Sequence, residues 1–260
     1  MRDRDDLMEF AVRLAGNAGA VTLDHFGSAA VELKGDGTEV TVADRAAEEY
    51  VRRSLAESFP EDGILGEEGD DVPSRSGRRW IVDPIDGTRS FSCGVPLYAV
   101  LIALEEEGRP VLGCCHFPAL GETLVAARGA GAWHNGRPAR VSAVDDLAAA
   151  RVVTSGLEYW RDRSTDADRA GFDWLVRATR FCRTWGDAYG YFLVATGRVE
   201  VYADPISGSY WDFAPMIPIL EEAGGRIATF TGEPLTPWST SLAANPTLHA
   251  AAARVLTGAG

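Results

Sequence analysis

The residues of this chain best suited to chemistry are two aspartates in D-P-I-D-G-T at 83–88, directly after an apolar run. Asp83 and Asp86, stiffened by the proline between them, can converge on one point, and hard divalent cations prefer such oxygen ligands. Gly87 lets the backbone approach a ligand closely, and a helix or turn beginning at Thr88 would offer free N–H groups to a phosphate. The same hexapeptide also fits a plain turn with an aspartate as helix cap, because Asp-Pro and Asp-Gly are common in turns.

Two further acidic positions lie apart from this motif. G-E-E-G at 66–69 follows a short apolar run and presents Glu67, but acid pairs in loops are usually solvated. W-D at 211–212 enters an apolar stretch that ends with E-E-A-G-G at 221–225. Asp212 alone is most simply a carboxylate favoured by a helix dipole, so neither position predicts a function by itself.

Taken together, the three motifs resemble the inositol monophosphatase-like family. G-E-E, W-I-V-D-P-I-D-G-T and W-D…E-E-A-G-G occur in this order, and the resemblance covers about Leu7 to Asn245. It implies an α+β fold, a layered αβαβα sandwich of the sugar-phosphatase type, and a Mg²⁺-dependent phosphatase acting on a small-molecule phosphate monoester. The implied metal ligands are Glu67, Asp83, the carbonyl oxygen of Ile85, Asp86 and Asp212.

The resemblance also assigns roles around these ligands. Gly87 and Thr88 would hold the phosphate, Asp44 would pair with the Thr88 hydroxyl, and Lys34 matches a basic position near the site. Glu67 and Thr88, backed by Asp44, would orient and deprotonate the attacking water. Two to three Mg²⁺ ions per subunit, with Mn²⁺ as the alternative metal, would neutralise charge and stabilise the leaving group.

One segment bears on the substrate. R-T-W-G-D-A-Y-G-Y-F-L-V-A-T-G-R at 183–198 is more similar to the histidinol-phosphate phosphatases of this family than to its inositol enzymes. The resemblance therefore implies hydrolysis of histidinol phosphate to histidinol, a step of histidine biosynthesis. Histidinol carries an ammonium group that a carboxylate can bind through a charge-assisted hydrogen bond, whereas inositol is a neutral polyol. The substrate-binding candidates are Arg89, Trp185, Asp187, Ala188 and Asp204.

Simpler explanations stay open for some of these residues. Trp185 and Tyr189 also fit core packing, and Asp187 also fits a helix N-cap. Two departures from the family pattern border the expected pocket. Arg and Ser at 89–90 replace the Thr-Asn that often follows D-G-T, and the segment 204–210 is one residue longer than the histidinol-type pattern.

Three other functions compete with this prediction. An inositol-1-phosphate phosphatase is the closest rival, and a fructose-1,6-bisphosphatase is a more distant one. A non-catalytic protein that binds metal or a phosphorylated metabolite is a rival from a different class. It would be favoured by an eroded ligand set, but every acid that matches the ligand set is present.

The elements that must position these residues can be read from hydrophobic spacing and turn residues. Strands and helices are grouped rather than strictly alternating, which favours layered α and β elements. A soft boundary near residue 145 divides one catalytic unit into an N-terminal half, 1–145, and a C-terminal half, 146–260. The spacing predicts helices over 4–26, 47–59, 168–178, 188–196 and 211–223 and one after Asn245-Pro246, strands over 63–65, 79–82, 97–104, 110–117, 122–127, 151–154 and 199–203, and turns over 129–140.

Composition limits the possible partners. The formal net charge of −13 and a single lysine argue against nucleic-acid binding, which depends on Lys and Arg. No apolar run approaches the ~20 residues of a membrane helix, and the N-terminus carries acids where a signal peptide would be apolar. The cysteines lack metal-ligand spacing and fit small apolar residues in a reducing compartment. We expect a cytoplasmic protein and, from the resemblance, a homodimer.

Overall fold

The computed structural model describes residues 3–27, 31–33, 35 and 39–258. Lys34, predicted to lie near the site, is outside the described residues. The described part of the chain forms nine α-helices and two short 3₁₀ turns. The helices are α1 Arg4–Leu23, α2 Val42–Ser58, α3 Thr88–Ser92, α4 Leu157–Asp162, α5 Asp166–Ala178, α6 Asp187–Ala195, α7 Tyr210–Phe213, α8 Met216–Glu222 and α9 Pro246–Leu256.

The described strands form one hairpin and two mixed sheets. In chain order they are β1 Val31–Leu33, β2 Glu39–Thr41, β3 Gly63–Gly66, β4 Arg78–Asp86, β5 Ala99–Glu106, β6 Arg109–Phe117, β7 Glu122–Ala127, β8 Gly131–His134, β9 Arg137–Pro138, β10 Arg151–Val153, β11 Phe181–Arg183, β12 Val201–Asp204, β13 Arg226–Ala228 and β14 Ser241–Ala244. β1 pairs with β2. A seven-stranded sheet has the order β3-β4-β5-β6-β7-β8-β9, and a five-stranded sheet has the order β11-β10-β12-β14-β13.

These elements stack in five layers, and the predicted αβαβα sandwich is confirmed. Helices α1 and α2 cover one face of the seven-stranded sheet, and α6 and α8 lie between the two sheets. Helices α5 and α9 cover the outer face of the five-stranded sheet. The seven-stranded sheet comes from residues before 145 and the five-stranded sheet from residues after it. The division into two halves at 145/146 stays a prediction.

The predicted elements of the first half are largely correct. α1 buries Leu7, Leu14 and Ala18 against the sheet, as its spacing predicts. α2 begins earlier than predicted, because Thr41 and Asp44 form a capping box at its start. The segment 129–140 is turn-rich, as predicted, but its turns also join two short strands, β8 and β9, that the sequence analysis did not predict. Strands this short, bounded by glycines, leave little pattern in the sequence.

The predicted helix over 211–223 is wrong as one element. It divides into α7 and α8, with Ala214 and Pro215 between them. Pro215 has no N–H to donate into the preceding turn, and its carbonyl packs so closely on the seven-stranded sheet that a Cβ at Gly113 would lie 1.9 Å from it. Asp212 therefore lies in the short helix α7, before the break.

Candidate active site

The site begins where two parallel strands end at one edge of the seven-stranded sheet. β3 and β4 run parallel, with Gly66 opposite Val82. The N–H of Glu67 donates to the carbonyl of Val82 at 3.2 Å. Glu67 therefore lies beside Asp83, although sixteen positions separate them in the sequence.

An irregularity in β4 brings Asp83 and Asp86 together. In a regular strand, residues three apart face opposite sides of the sheet. Here the pairing of β4 with β5 changes register between Asp83 and Asp86. Pro84 has no N–H to contribute to the ladder, and the N–H of Ile85 donates to Asp83 Oδ1 at 3.0 Å. The register change thus lets both carboxylates face one point.

Asp212 reaches the same point from the opposite side of the interface between the sheets. It lies in α7 and forms a capping box with Ser209, whose N–H donates to Asp212 Oδ2 at 2.7 Å. The backbone of Gly208 has a φ of +74°, and a Cβ there would lie 1.9 Å from the same oxygen. Glycine is therefore required for the Asp212 carboxylate to occupy this position.

The three aspartates form a compact anionic cluster. One oxygen from each of Asp83, Asp86 and Asp212 lies within 4.8 Å of the others. Burial, followed by the charges of Glu67, Asp212 and Asp86, holds the pKa of Asp83 well above its usual value. Burial and then Asp187 raise the pKa of Asp86, while burial and Glu67 raise the pKa of Asp212 to about 7.

This cluster fits a divalent cation. Asp83 and Asp212 lie within hydrogen-bonding reach of each other, so ionising both without a counterion places two buried negative charges in contact. A hard cation relieves this repulsion and prefers such oxygen ligands. Glu67 lines the same cleft, and its charge acts on both Asp83 and Asp212.

The start of α3 lies next to the cluster. Gly87 has a φ of +81° and precedes Thr88, the first residue of the helix. The Thr88 hydroxyl donates to the carbonyl of Ile85 at 3.3 Å, and the N–H of Phe91 donates to the carbonyl of Gly87 at 3.0 Å. Ile85, Gly87 and Thr88 all line the cleft, so the predicted carbonyl ligand and phosphate-binding residues lie beside the aspartates.

The predicted hydrogen bond between Asp44 and Thr88 is not formed between these described residues. Asp44 Oδ2 instead accepts from the N–H and the hydroxyl of Thr41, at 2.8 and 2.6 Å. It serves as the third helical residue of the capping box of α2. Burial raises the pKa of Asp44, and the charge of Glu67 adds to that rise. Asp44 is thus electrostatically linked to the predicted catalytic base.

The second half of the chain contributes the start of α6. The N–H of Ala188 donates to Asp86 Oδ2 at 2.8 Å, which places the positive end of the helix dipole on that carboxylate. Asp187 has a φ of +55°, and a Cβ on Gly87 would lie 3.5 Å from Asp187 Oδ2. Gly186 occupies the N-cap position without a side-chain cap, so the interpretation of Asp187 as an N-cap is wrong.

Asp204 is held by the wall of the cleft. Its side chain is 2% exposed, and it accepts the hydroxyls of Thr154 at 2.9 Å and Tyr202 at 2.5 Å. The N–H of Ser155 also donates to it, at 3.3 Å. Burial raises the pKa of Asp204 to about 7, against the effect of these hydrogen bonds. Because protein donors already occupy both oxygens, the structure favours Asp187 as the carboxylate that faces a ligand.

The two aromatic candidates differ. Tyr189 packs on Phe117 and Phe192, with ring centroids 5.2 and 5.5 Å away, so the core-packing interpretation fits it. Trp185 is 41% exposed, so core packing is wrong for it. Among the described residues, Trp185 is also absent from the lining of the cleft.

Sequence reasoning missed several residues of the cleft, which has a volume of about 380 Å³. Arg89, which was predicted to bind the substrate, does line the cleft. At the mouth of the cleft Arg89 pairs with Glu158 at 2.8 Å, and the Arg89 guanidinium lies 5.8 Å from the Tyr159 ring. The missed lining residues are Ser155, Tyr159, Arg163, Tyr191, Tyr202, Ile206, Ser207, Gly208, Ser209, Trp211 and Trp238. Tyr191, Trp211 and residues 206–209 belong to segments that the sequence analysis discussed, but it gave them no role in the site. The others lie outside any motif, so hydrophobic spacing carried no signal for them.

Comparisons with known proteins agree with this geometry. The model of the inositol monophosphatase family matches residues 3–259. A histidinol-phosphatase of Chlorobaculum parvum is 50% identical over 227 residues, 86% of each chain. A histidinol-phosphatase of Mycobacterium tuberculosis is 41% identical over 252 residues, 94% of this chain and 95% of that one. The crystal structure of the extragenic suppressor protein SuhB of Bartonella henselae superimposes with a TM-score of 0.88 at 30% identity, covering 96% of this chain and 98% of that one.

Proposed function

Because the chain belongs to the inositol monophosphatase family, we propose that it hydrolyses histidinol phosphate to histidinol and inorganic phosphate with Mg²⁺ at the aspartate cluster. The observation that carries the substrate is the position of Asp187, whose carboxylate borders the backbone of Gly87. Relatives named histidinol-phosphatase, at 38–50% identity over most of the chain, support the same substrate.

The reaction needs charge neutralisation before it needs a nucleophile. When bound, two to three divalent cations neutralise the phosphate dianion and lower the pKa of water. Asp83, Asp86, Asp212, Glu67 and the carbonyl of Ile85 are the ligands we propose. The three aspartate oxygens within 4.8 Å of one another support this set.

The chain itself positions the phosphate and moves the proton. The N–H groups at Gly87 and Thr88 hold the phosphate oxygens at the start of α3, where backbone donors lack intrahelical partners. Glu67 accepts a proton from the attacking water, and the Thr88 hydroxyl orients that water. Asp44 lies close enough to Glu67 for the charge of Glu67 to raise the pKa of Asp44. The water oxygen bonds to phosphorus, the bond from phosphorus to the histidinol oxygen breaks, and the leaving oxygen takes up a proton.

Asp187 accounts for the choice of leaving group. Its left-handed backbone is uncommon for a residue other than glycine, and such strain often accompanies functional sites. Burial raises the pKa of Asp187, while the charge of Arg89 opposes that rise. A substrate ammonium group would pair with this partly buried carboxylate through a charge-assisted hydrogen bond, and a neutral polyol offers no such partner.

Turnover of two substrates by the purified protein tests this proposal. With Mg²⁺ present, we expect kcat/KM for histidinol phosphate to exceed that for inositol-1-phosphate at least tenfold. A chelator should abolish both activities, and Mg²⁺ should restore them. A preference for inositol-1-phosphate would replace the proposed substrate, and activity in excess chelator would contradict the proposed metal site.

Location and assembly form a further part of the proposal. Among the described residues, no helix combines the length and apolarity needed to cross a bilayer. The four cysteines are free thiols, which supports the reducing cytoplasm as the location. We propose a homodimer from family membership. Light scattering on the protein as it elutes from a size-exclusion column should give twice the 27.9 kDa mass of one chain.

A further inference from the structure

Trp238 stands out among the residues that line the cleft. Its side chain is 59% exposed, and its backbone has a φ of +66°. This left-handed region is unfavourable for a bulky side chain and is usually occupied by glycine. An exposed tryptophan that contributes little burial does not explain why the chain keeps this strain, and residues strained in this way cluster at ligand-binding sites.

Hydrogen bonds fix the Trp238 backbone relative to the metal ligands. The N–H of Trp238 donates to the carbonyl of Gly208 at 2.8 Å, and the hydroxyl of Ser207 donates to the carbonyl of Thr236 at 2.8 Å. The next residue of that segment, Ser209, donates its N–H to Asp212. The segment 205–209 thus joins the loop of Trp238 to the aspartate cluster and fixes the backbone that carries the indole ring.

The chemistry of the proposed substrate identifies what this ring would contact. In histidinol phosphate, the phosphate and the imidazole are at opposite ends, and the ammonium group lies between them. With the phosphate at Gly87 and the ammonium at Asp187, the imidazole extends towards the mouth of the cleft. A flat aromatic ring at the mouth offers an exposed hydrophobic face to a flat heteroaromatic group.

We propose that Trp238 is a specificity-determining residue that packs its indole ring against the imidazole of histidinol phosphate. This inference rests on the proposed function and adds a third contact to the phosphate and ammonium contacts. The segment 204–210 gains a role here because the carbonyl of Gly208 accepts the N–H of Trp238.

The test compares substrates with and without the imidazole ring. 2-Aminopropyl phosphate keeps the phosphate and the ammonium group but lacks the ring. In Trp238→Ala, kcat/KM for histidinol phosphate should fall roughly three- to tenfold, the range expected for one aromatic pair, and the value for 2-aminopropyl phosphate should not change. Trp174→Ala is the matched control, because Trp174 is 65% exposed on α5 and, among the described residues, does not line the cleft.

A second variant distinguishes the effect of losing the indole ring from the effect of backbone strain at position 238. Trp238→Gly also removes the ring, but glycine accepts a positive φ without strain. We expect it to lose the same ring-dependent activity as Trp238→Ala while melting at the same temperature or above it. If both variants keep the wild-type ratio of kcat/KM for the two substrates, whether or not the two values fall together, Trp238 does not contact the imidazole and the inference is overturned.

Product inhibition distinguishes this failure from failure of the proposed function. Histidinol should inhibit wild-type hydrolysis of p-nitrophenyl phosphate, and its inhibition constant should rise roughly three- to tenfold in Trp238→Ala. The inhibition constant of inorganic phosphate should stay the same. If histidinol does not inhibit the wild type and histidinol phosphate is not preferred over 2-aminopropyl phosphate, the proposed substrate itself is wrong. An equal inhibition constant for histidinol in both proteins refutes only the role of Trp238.

Discussion

Asp83 and Asp212 affect catalysis and stability in opposite directions. Asp83 is buried and Asp212 is partly buried. Their carboxylates lie within hydrogen-bonding reach of each other, and the loss of solvent raises the pKa of each. Without a cation, their mutual repulsion opposes folding at neutral pH. The ligand set that allows the reaction is therefore a source of instability in the metal-free protein, as is common for functional sites.

The variant Asp83→Asn should show both effects. It removes one anionic ligand, so Mg²⁺-dependent turnover should fall by about two orders of magnitude or more. It also removes one repelling charge, so the protein in chelator should melt above wild type. Calorimetry with and without Mg²⁺ measures this, since Mg²⁺ should raise the melting temperature of wild type more than that of the variant. A lower melting temperature of the variant in chelator would contradict the repulsion argument.

Asp187 allows a test of the substrate at a single residue. Asp187→Ser should lower kcat/KM for histidinol phosphate roughly tenfold to a hundredfold, since a hydrogen bond to a charged group contributes roughly 1.5–3 kcal/mol. Turnover of a neutral polyol phosphate should be spared, because the metal ligands and phosphate-binding residues are unchanged. Asp173→Ser, at an exposed position of α5, is the matched control. Equal losses for both substrates would show that Asp187 acts structurally.

At the scale of elements, the sequence predicts the residues of the site better than it predicts the strands and helices that position them. The motif at 83–88 predicted the convergence of Asp83 and Asp86 that the structure shows, because Asp, Pro and Gly there have strong local preferences. The register change in β4 and the division between α7 and α8 depend on pairing with β5 and packing against Gly113. The contribution of Trp238 depends on a hydrogen bond to a segment thirty positions away, and no local pattern in the sequence encodes it.

Substitutions at two glycines test whether the close approach of Gly208 to Asp212 is needed for activity. Gly208→Ala should lower kcat at least tenfold, because a Cβ there would lie 1.9 Å from Asp212 Oδ2 and displace this proposed metal ligand. Gly224→Ala is the matched control, since its φ of +83° is similar but no atom lies within 4 Å of the added Cβ. It should cost only the backbone strain, about 1–2 kcal/mol, with turnover unchanged. Equal effects of the two substitutions on kcat would refute the steric argument.

At the scale of the whole molecule, the cleft exists only where the two sheets and their helices meet. Asp86 from the first half accepts the N–H of Ala188 from the second, and Arg89 pairs with Glu158 across the mouth. Sequence analysis singled out the acidic residues of both halves through their family motifs. It could not recognise the contacts between the halves, because the partners lie 102 and 69 positions apart in the sequence.

The burial of His249, in the last helix α9, should make the stability of the whole protein depend on pH. His249 is 2% exposed, and burial, followed by the charge of Arg226, lowers its pKa from 6.5 to about 4. The unfolded chain binds this proton more tightly, so the stabilisation present above pH 6.5 is lost as the pH falls towards 4. Between pH 7 and pH 5 the free energy of unfolding should fall by about 2 kcal/mol through this residue.

Urea unfolding at pH 7 and pH 5 measures this contribution. His249→Asn lacks the titrating group, so its free energy of unfolding should change less between these two pH values than that of wild type. The comparison uses the difference between two pH values, so a general loss of stability in the variant does not affect it. The same pH dependence in both proteins would show that His249 is not responsible.

The order of strands in the two sheets has a consequence for folding during synthesis. In the seven-stranded sheet, β3 to β9 lie side by side in the order in which they leave the ribosome. In the five-stranded sheet, β14 is last in sequence but lies between β12 and β13. The first sheet can therefore form as the chain emerges, whereas the second cannot close until residues 241–244 are free. Proteolysis of ribosome-bound chains arrested at increasing lengths should show residues 63–138 protected before residues 151–244.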